Sequence, residues 1–159
     1  MKTKTAAALL ALALAGASLQ AHELSTRGNV GTNDNVMIGG LIISDNDCDQ
    51  YGPDGKERVA AFVIRVLGPT LCAAGLNIDQ VLADPQIAFY DQNGTLIGGQ
   101  MDYTENDVAT QQVIFDHGLA PADIREVALY VKVPPGFYTA IVSGQNETTG
   151  IAILEAYKL

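Results

Sequence analysis

The chain has 159 residues, 18 acidic against 9 basic side chains, and a formal net charge of −9 at pH 7. A surface of that sign repels phosphate backbones and anionic lipid, so binding to nucleic acid or to membrane surfaces is disfavoured, whereas divalent cations and cationic partners are favoured. With 48% apolar residues and only two cysteines, the length suits one domain with a real core.

The N-terminus reads as an export signal. Lys2 and Lys4 precede an apolar run over residues 6–15, followed by Gly16, Ala17 and Ser18. A charged start, a short apolar stretch and a small-residue exit make a secretory signal peptide, too short to remain as a membrane span. Cleavage after Ala21 leaves His22 as the first mature residue, and Ala15-Gly16-Ala17 offers an alternative cut after Ala17. Losing Lys2 and Lys4 takes the net charge from −9 to −11. The expected organisation is a signal peptide over 1–21, a polar segment over 22–35 and a sandwich domain over 36–159. The protein is expected outside the cell or at its surface, with the periplasm as the other location and no membrane insertion.

Strand-like runs follow, separated by Gly, Asn, Asp and Pro. Within the polar segment, residues 24–30 form the first, carrying Leu24, Thr26 and Val30. Residues 36–43 form the next, where Gly39-Gly40 predicts a bulge or a close backbone approach. Residues 59–67 alternate, with Ala60, Phe62, Ile64 and Val66 on one face and Arg65 on the other. Pro69 and Gly75 bracket one predicted helical turn. Residues 87–91 and 95–97 flank Asn93-Gly94, a strong hairpin signal. Residues 111–115 and 125–133 are read as two further strands. Pro135-Gly136 then turns the chain into residues 137–142, and residues 145–150 reverse it into 151–157, so the chain is expected to end in a long hairpin. About eight strands and no long amphipathic helix predict an all-β protein: a single antiparallel β-sandwich of jelly-roll or immunoglobulin-like type.

The final strand is apolar on both faces, with Ile151, Ile153 and Tyr157 on one and Ala152, Leu154 and Ala156 on the other. It is either a central strand covered by a loop or a surface completed by another subunit. Ile151, Ile153 and Leu154, with the N-terminal strand-like run, are therefore the candidate assembly residues. That run is suited to adding to a neighbour's sheet edge.

Several stretches occur in a fixed order: Asn35-Val-Met-Ile-Gly-Gly-Leu-Ile-Ile43, Arg65-Val-Leu-Gly-Pro-Thr-Leu71, Leu82-Ala-Asp-Pro85, Gly118-Leu-Ala-Pro121, Arg125-Glu-Val-Ala128, Pro134-Pro-Gly-Phe-Tyr-Thr-Ala-Ile-Val-Ser-Gly144, Thr148-Thr-Gly150 and Leu154-Glu-Ala-Tyr157. Together they resemble a recurrent module of bacterial exported proteins, often found at the C-terminal end of larger surface proteins. The Pro-Pro-Gly-x-Tyr-Thr stretch is similar to that of bacterial pre-peptidase C-terminal-type domains. The resemblance spans nearly all of the mature chain and implies a small sandwich that carries no catalytic residues with it. The chain departs from the usual form in standing alone and in an acidic loop around Cys48, which suggests that it is itself the working unit.

Candidate chemistry is sparse. Cys48 and Cys72 are expected to pair in an exported protein, closing a loop of about 25 residues for roughly 3.5 kcal/mol. A serine nucleophile has no Gly-x-Ser-x-Gly setting, and His117 beside Asp116 more often caps or solvates a loop than catalyses, so no enzyme is expected. Asp45, Asp47, Asp49 and Asp54 fall in one loop whose oxygens suit calcium, although Gln50 replaces the glycine of an EF-hand and no Glu closes the site. Solvated turn residues are the competing reading. A mature N-terminal His22 offers its amine and ring to copper, with His117 as the other imidazole. The leading expectation is a non-catalytic cell-surface, matrix or filament subunit with adhesive character, partnered by copies of itself or by other surface components. A secreted metal-binding protein is the alternative. Intact mass spectrometry of the secreted protein should show His22 as residue one; a chain that retains Met1 would rule out export by this signal.

Overall fold

The computed structural model of the chain describes residues 22–159. The expected signal peptide over 1–21, its expected cleavage site and the side chain of His22 lie outside the described residues and side chains. Among the described residues nine strands build two antiparallel sheets: β1 His22–Val30, β2 Met37–Ile43, β3 Gln50–Tyr51, β4 Arg58–Leu67, β5 Pro85–Tyr90, β6 Leu96–Gln100, β7 Val127–Val133, β8 Gly136–Gly144 and β9 Gly150–Lys158. The larger sheet runs β1-β9-β4-β7, with the two-residue β3 pairing the start of β4, and the smaller runs β2-β8-β5-β6. They stack with β1 over β2 and β7 over β6. The all-β sandwich read from strand spacing is the fold observed. No helix among the described residues is long and apolar enough to cross a membrane.

The core lies between the sheets and follows from strand alternation. Phe62, Ile64 and Val66 of β4 meet Ala152, Leu154 and Ala156 of β9, Leu129 and Val131 of β7, and Ile87, Phe89, Tyr138 and Val142 of the facing sheet. Phe89 and Tyr138 stack at 5.5 Å between ring centroids, and the Tyr138 hydroxyl donates to the Pro134 carbonyl at 2.8 Å, tying the start of β8 to the turn before it. The Gly39-Gly40 step is a close approach rather than a bulge. The β2–β8 register is continuous, and a Cβ on Gly39 would lie 2.4 Å from Leu154 Cδ2.

Four expectations are corrected. The predicted closing hairpin is an arch: β8 pairs with β2 and β5, whereas β9 pairs with β1 and β4, so residues 145–149 carry the chain from one sheet to the other. The two strands face one another across the core, each offering it an apolar face from its own sheet. Gly150 makes the arch close tightly, because its φ of 148° and a Cβ position 2.4 Å from the Val81 backbone leave no room for a side chain.

Residues 111–115 are not a strand. They lie within helix α1, Val108–Asp116, whose first turn is capped by the Asp107 carboxylate accepting from the Thr110 amide at 2.9 Å. Gly118, with φ 69°, ends the helix: its amide donates to the Phe115 carbonyl, and the Leu119 amide donates to the Ile114 carbonyl. The strand-like run of the segment over 22–35, expected to add to a neighbour's sheet edge, adds to a sheet of its own chain. It supplies β1, which pairs with its own chain's β9 from His22 to Val30, and Val30 is fully buried.

Cys48 and Cys72 are free. The Cys48 carbonyl accepts from the Arg58 guanidinium at the start of β4, while Cys72 sits in a 3-10 turn, Pro69–Ala74, just beyond the strand's other end. A strand of 10 residues separates these ends by about 30 Å, far beyond the reach of a disulfide, which needs Cα atoms within about 7 Å. Burial in the core pushes the Cys48 thiol above its ordinary range. The folded protein should therefore give one fast equivalent of thiol with a disulfide-exchange reagent, from half-exposed Cys72, and a second only after denaturation. A protein with no reactive thiol either before or after denaturation would restore the disulfide.

Candidate functional site

The two outer faces of the sandwich differ, and the difference follows from side-chain parity. On the larger sheet the outward set is Val63 and Arg65 of β4, Ala128 of β7, and Glu155 and Tyr157 of β9. Helix α1 and the loop after it cover this face. Ile114 and Leu119 pack with Val63, Ala128 and Tyr157 into a second, smaller core. Arg65 lies directly across from Glu155, donating through Nε at 3.0 Å and Nη2 at 2.6 Å to one carboxylate oxygen, and Nη1 reaches the Leu119 carbonyl at 3.3 Å. Its guanidinium also lies 5.3 Å from the centre of the Tyr157 ring. Burial pushes the Tyr157 hydroxyl above its ordinary range. The two charges are thus paired, hydrogen-bonded and capped by the loop that roofs the sheet.

A second buried carboxylate, Glu126, was not singled out in the sequence. Its side chain is fully buried and accepts from the amides of Gly68 at 2.9 Å and Thr70 at 2.8 Å, and from the Thr70 hydroxyl. It satisfies the start of the 3-10 turn after β4 and holds that turn to the start of β7, a structural task. The only sequence signal is an acidic residue beside the apolar alternation of β7.

Among the described residues, the smaller sheet has no such roof. Its register sets the outward side chains in rows: Ile38, Ile141, Ala88 and Gly99 in one; Gly40, Thr139, Tyr90 and Leu96 in the next; Ile42 beside Phe137 in the third. None of these carries a charge. Ile42 is 73% exposed, Ile38 62% and Phe137 61%, values far above those of the core. An open concavity of about 670 Å³ lies over this face, with Thr139 between Phe137 and Ile141, and Tyr90 and Gln92 at its rim. The Asp91 carboxylate, also at the rim, is drawn well below its ordinary range by accepting from the Thr95 and Asn93 amides, so it serves the β5–β6 turn.

Two of the expected metal residues, Asp47 and Asp54, are engaged in local bonding. The Asp47 carboxylate accepts from the Ser44 hydroxyl at 2.6 Å and amide at 2.8 Å, which lowers its pKa. Asp54 accepts from the Lys56 amide at 3.0 Å, Asp49 lies 3.9 Å from Lys158 Nζ, and Asp45 opens a 3-10 turn. Among the described residues no group of three or more His, Cys, Asp or Glu side chains gathers as a metal site. The His117 ring caps α1, donating from Nδ1 to the Val113 carbonyl at 2.8 Å, while Asp116 accepts from Gln112 Nε2 at 2.7 Å rather than orienting that ring.

The expected assembly residues are mostly engaged within the chain. Val30 and Leu154 are core, Leu24 packs against the core, Thr26 pairs with Leu154 across β1 and β9, and Ile151 is bridged by Val81. Of this set, Leu24, Thr26, Ile151 and Ile153 stay half-exposed, and Val30 and Leu154 are buried. The apolar surface that sequence reasoning missed is the outward parity of β2 and β8. It was visible as Ile38 and Ile42 at spacing four and Phe137 and Ile141 at the same spacing, but not assigned to a bare face.

No family model matches the chain, and no curated protein matches it.

Removing one partner of the roofed pair leaves the other charge buried. Arg65→Ala should lower stability by about 3 kcal/mol, read as a fall in denaturation midpoint, while Arg125→Ala, whose partner Asp123 is two residues away on the surface, should cost under about 1 kcal/mol. Equal losses for the two variants would show that the Arg65 pair contributes nothing beyond an ordinary surface contact.

Proposed function

We propose that this chain is an exported, non-catalytic β-sandwich that serves as a subunit of a cell-surface, matrix or filament assembly and adheres through the bare face of its smaller sheet. The observation that carries this reading is the asymmetry of the sandwich. One outer face is roofed by α1 and closed by an ion pair, while the other leaves Ile38, Ile42 and Phe137 exposed beside half-buried Ile141, with no charge among them. Contiguous exposed apolar area of this kind marks an interaction surface. The secretory signal read at the N-terminus and the resemblance to a recurrent surface-protein module support an extracellular setting.

The chemistry of the face suits adhesion better than catalysis. It offers aliphatic and aromatic area with a few hydroxyl and amide groups, and no nucleophile paired with a base. Association there releases water from apolar surface and asks no acidic group to give up its hydration, so the charge of the remaining surface keeps separate particles soluble.

Light scattering on natively secreted protein should give a mass well above the 16.8 kDa of one chain. Phe137→Ser combined with Ile141→Ser should reduce that mass while leaving the denaturation midpoint within about 1 kcal/mol of the parent's, since surface substitutions are usually small in effect. A wild-type protein that stays a compact monomer at every concentration would overturn the assembly reading.

A further inference from the structure

The four edges of the sandwich are not equally protected. An edge strand exposes a row of unpaired backbone amides and carbonyls, and proteins blunt such rows with charges, bulges or short strands. At one edge of the larger sheet, β1 carries exposed Glu23 and Arg27. At its other edge, β7 presents exposed Lys132. In the smaller sheet, β6 is irregular, with a register shift against Phe89 and Tyr90. The remaining edge, β2, has none of these devices. It reads Met-Ile-Gly-Gly-Leu-Ile-Ile, pairs with β8 over its whole length without a shift, and among the described residues has no strand on its other side.

We infer that β2 pairs antiparallel with β2 of a second copy of this chain, about a two-fold axis at Gly40, so that the two four-stranded sheets join into one of eight strands. The inference rests on the surface-subunit reading and names its partner.

Two observations select a second copy. The outward residues of β2 are Ile38, Gly40 and Ile42, a set symmetric about Gly40. A two-fold there lays Ile38 against Ile42 of the second copy, twice, and Gly40 against Gly40, and this self-complementarity is what an isologous contact requires. Gly40 faces open space: a Cβ there would meet nothing within 4 Å, so the centre of the contact is unobstructed. The second observation is charge. Each copy is strongly acidic, and Asp34 and Asp45 stand exposed beyond the two ends of β2, yet β2 itself and the face beside it are uncharged. A cationic partner would be drawn to the acidic loops. Two like-charged copies meet least repulsion along this strip.

The pairing should strengthen with ionic strength, because salt screens the repulsion between the copies without weakening the strand ladder or the apolar contact. A partner recognised through charge would behave in the opposite way.

The test uses the secreted full chain and a Cys72→Ser background, which leaves only buried Cys48 as a native thiol. Ile42→Lys, at a site 73% exposed and so tolerant of the change, should weaken self-association at least tenfold in sedimentation velocity. Val108→Lys, at a site 83% exposed on α1 over the opposite sheet, should leave it unchanged. Under diamide oxidation, Gly40→Cys should form a self-linked dimer. An equal mixture of Ile38→Cys and Ile42→Cys chains should cross-link with each other faster than either does alone. A monomer–oligomer equilibrium that Ile42→Lys leaves intact, with no cross-linking above a Val108→Cys control, would overturn β2 pairing and leave the surface-subunit reading standing. A wild-type chain that is monomeric from low to high salt would overturn both. Circular dichroism and the thermal midpoint of each variant confirm that the domain stays folded.

Discussion

A strand that is apolar on both faces has to be covered on both faces, and β4 imposes that requirement on the rest of the molecule. From Val59 to Ile64 every residue of it is buried. One set of side chains joins the core between the sheets; the other, led by Val63, points away from it. The second set explains why α1 lies where it does, why Leu119 follows it inward, and why Tyr157 of β9 is buried although it faces away from the main core. Without that roof, Arg65 and Glu155 would be an ordinary exposed cross-strand pair. Beneath it they form a bridge whose loss strands a charge in a poorly solvated place.

The same economy of helix leaves the other sheet bare. Among the described residues the chain supplies one α-helix of 9 residues and several 3-10 turns, and the helix is used on the larger sheet. Ile38, Ile42 and Phe137 are consequently exposed, and Ile141 half-exposed, by parity alone, since their inward neighbours, Met37, Leu41, Tyr138 and Val142, fill the core. The apolar face and the unguarded edge of β2 adjoin, so a contact along the edge extends the face rather than hiding it. Adhesion and self-pairing are therefore compatible uses of one side of the domain.

Much of the architecture was legible in residue patterns. Alternation located β2, β4, β5, β7, β8 and β9, Asn93-Gly94 marked the β5–β6 hairpin, and Pro69 with Gly75 bracketed a real helical turn. Errors arose where a local pattern admits two periods or where sequence distance stands in for spatial distance. Val113 and Phe115 alternate as a strand would, yet Asp107 and Gly118 are the start and stop signals of a helix and outweigh so short an alternation. Consecutive strands β8 and β9 looked like a hairpin because a short polar loop joins them, but a loop of that length also spans the gap between two sheets. The pairing of Cys48 with Cys72 was inferred from compartment and count. A strand of 10 residues lies between their loops, and in the folded chain the two are free.

By itself the sequence determined the class of fold, the acidic charge and the alternation of β4 and β7, because these depend on composition and on neighbours within a few residues. Only the tertiary structure decided which sheet each strand joins, which outer face is roofed, that Asp47 and Asp54 are bound into local turns, that Glu126 is buried and hydrogen-bonded, and that Arg65 is paired with Glu155. The division has a physical cause. Alternation states that a strand has two different faces but not what lies against either one. Cover is supplied by segments far away in sequence, here α1 for β4 and β9, and its absence over β2 and β8 is a property of the whole packed chain.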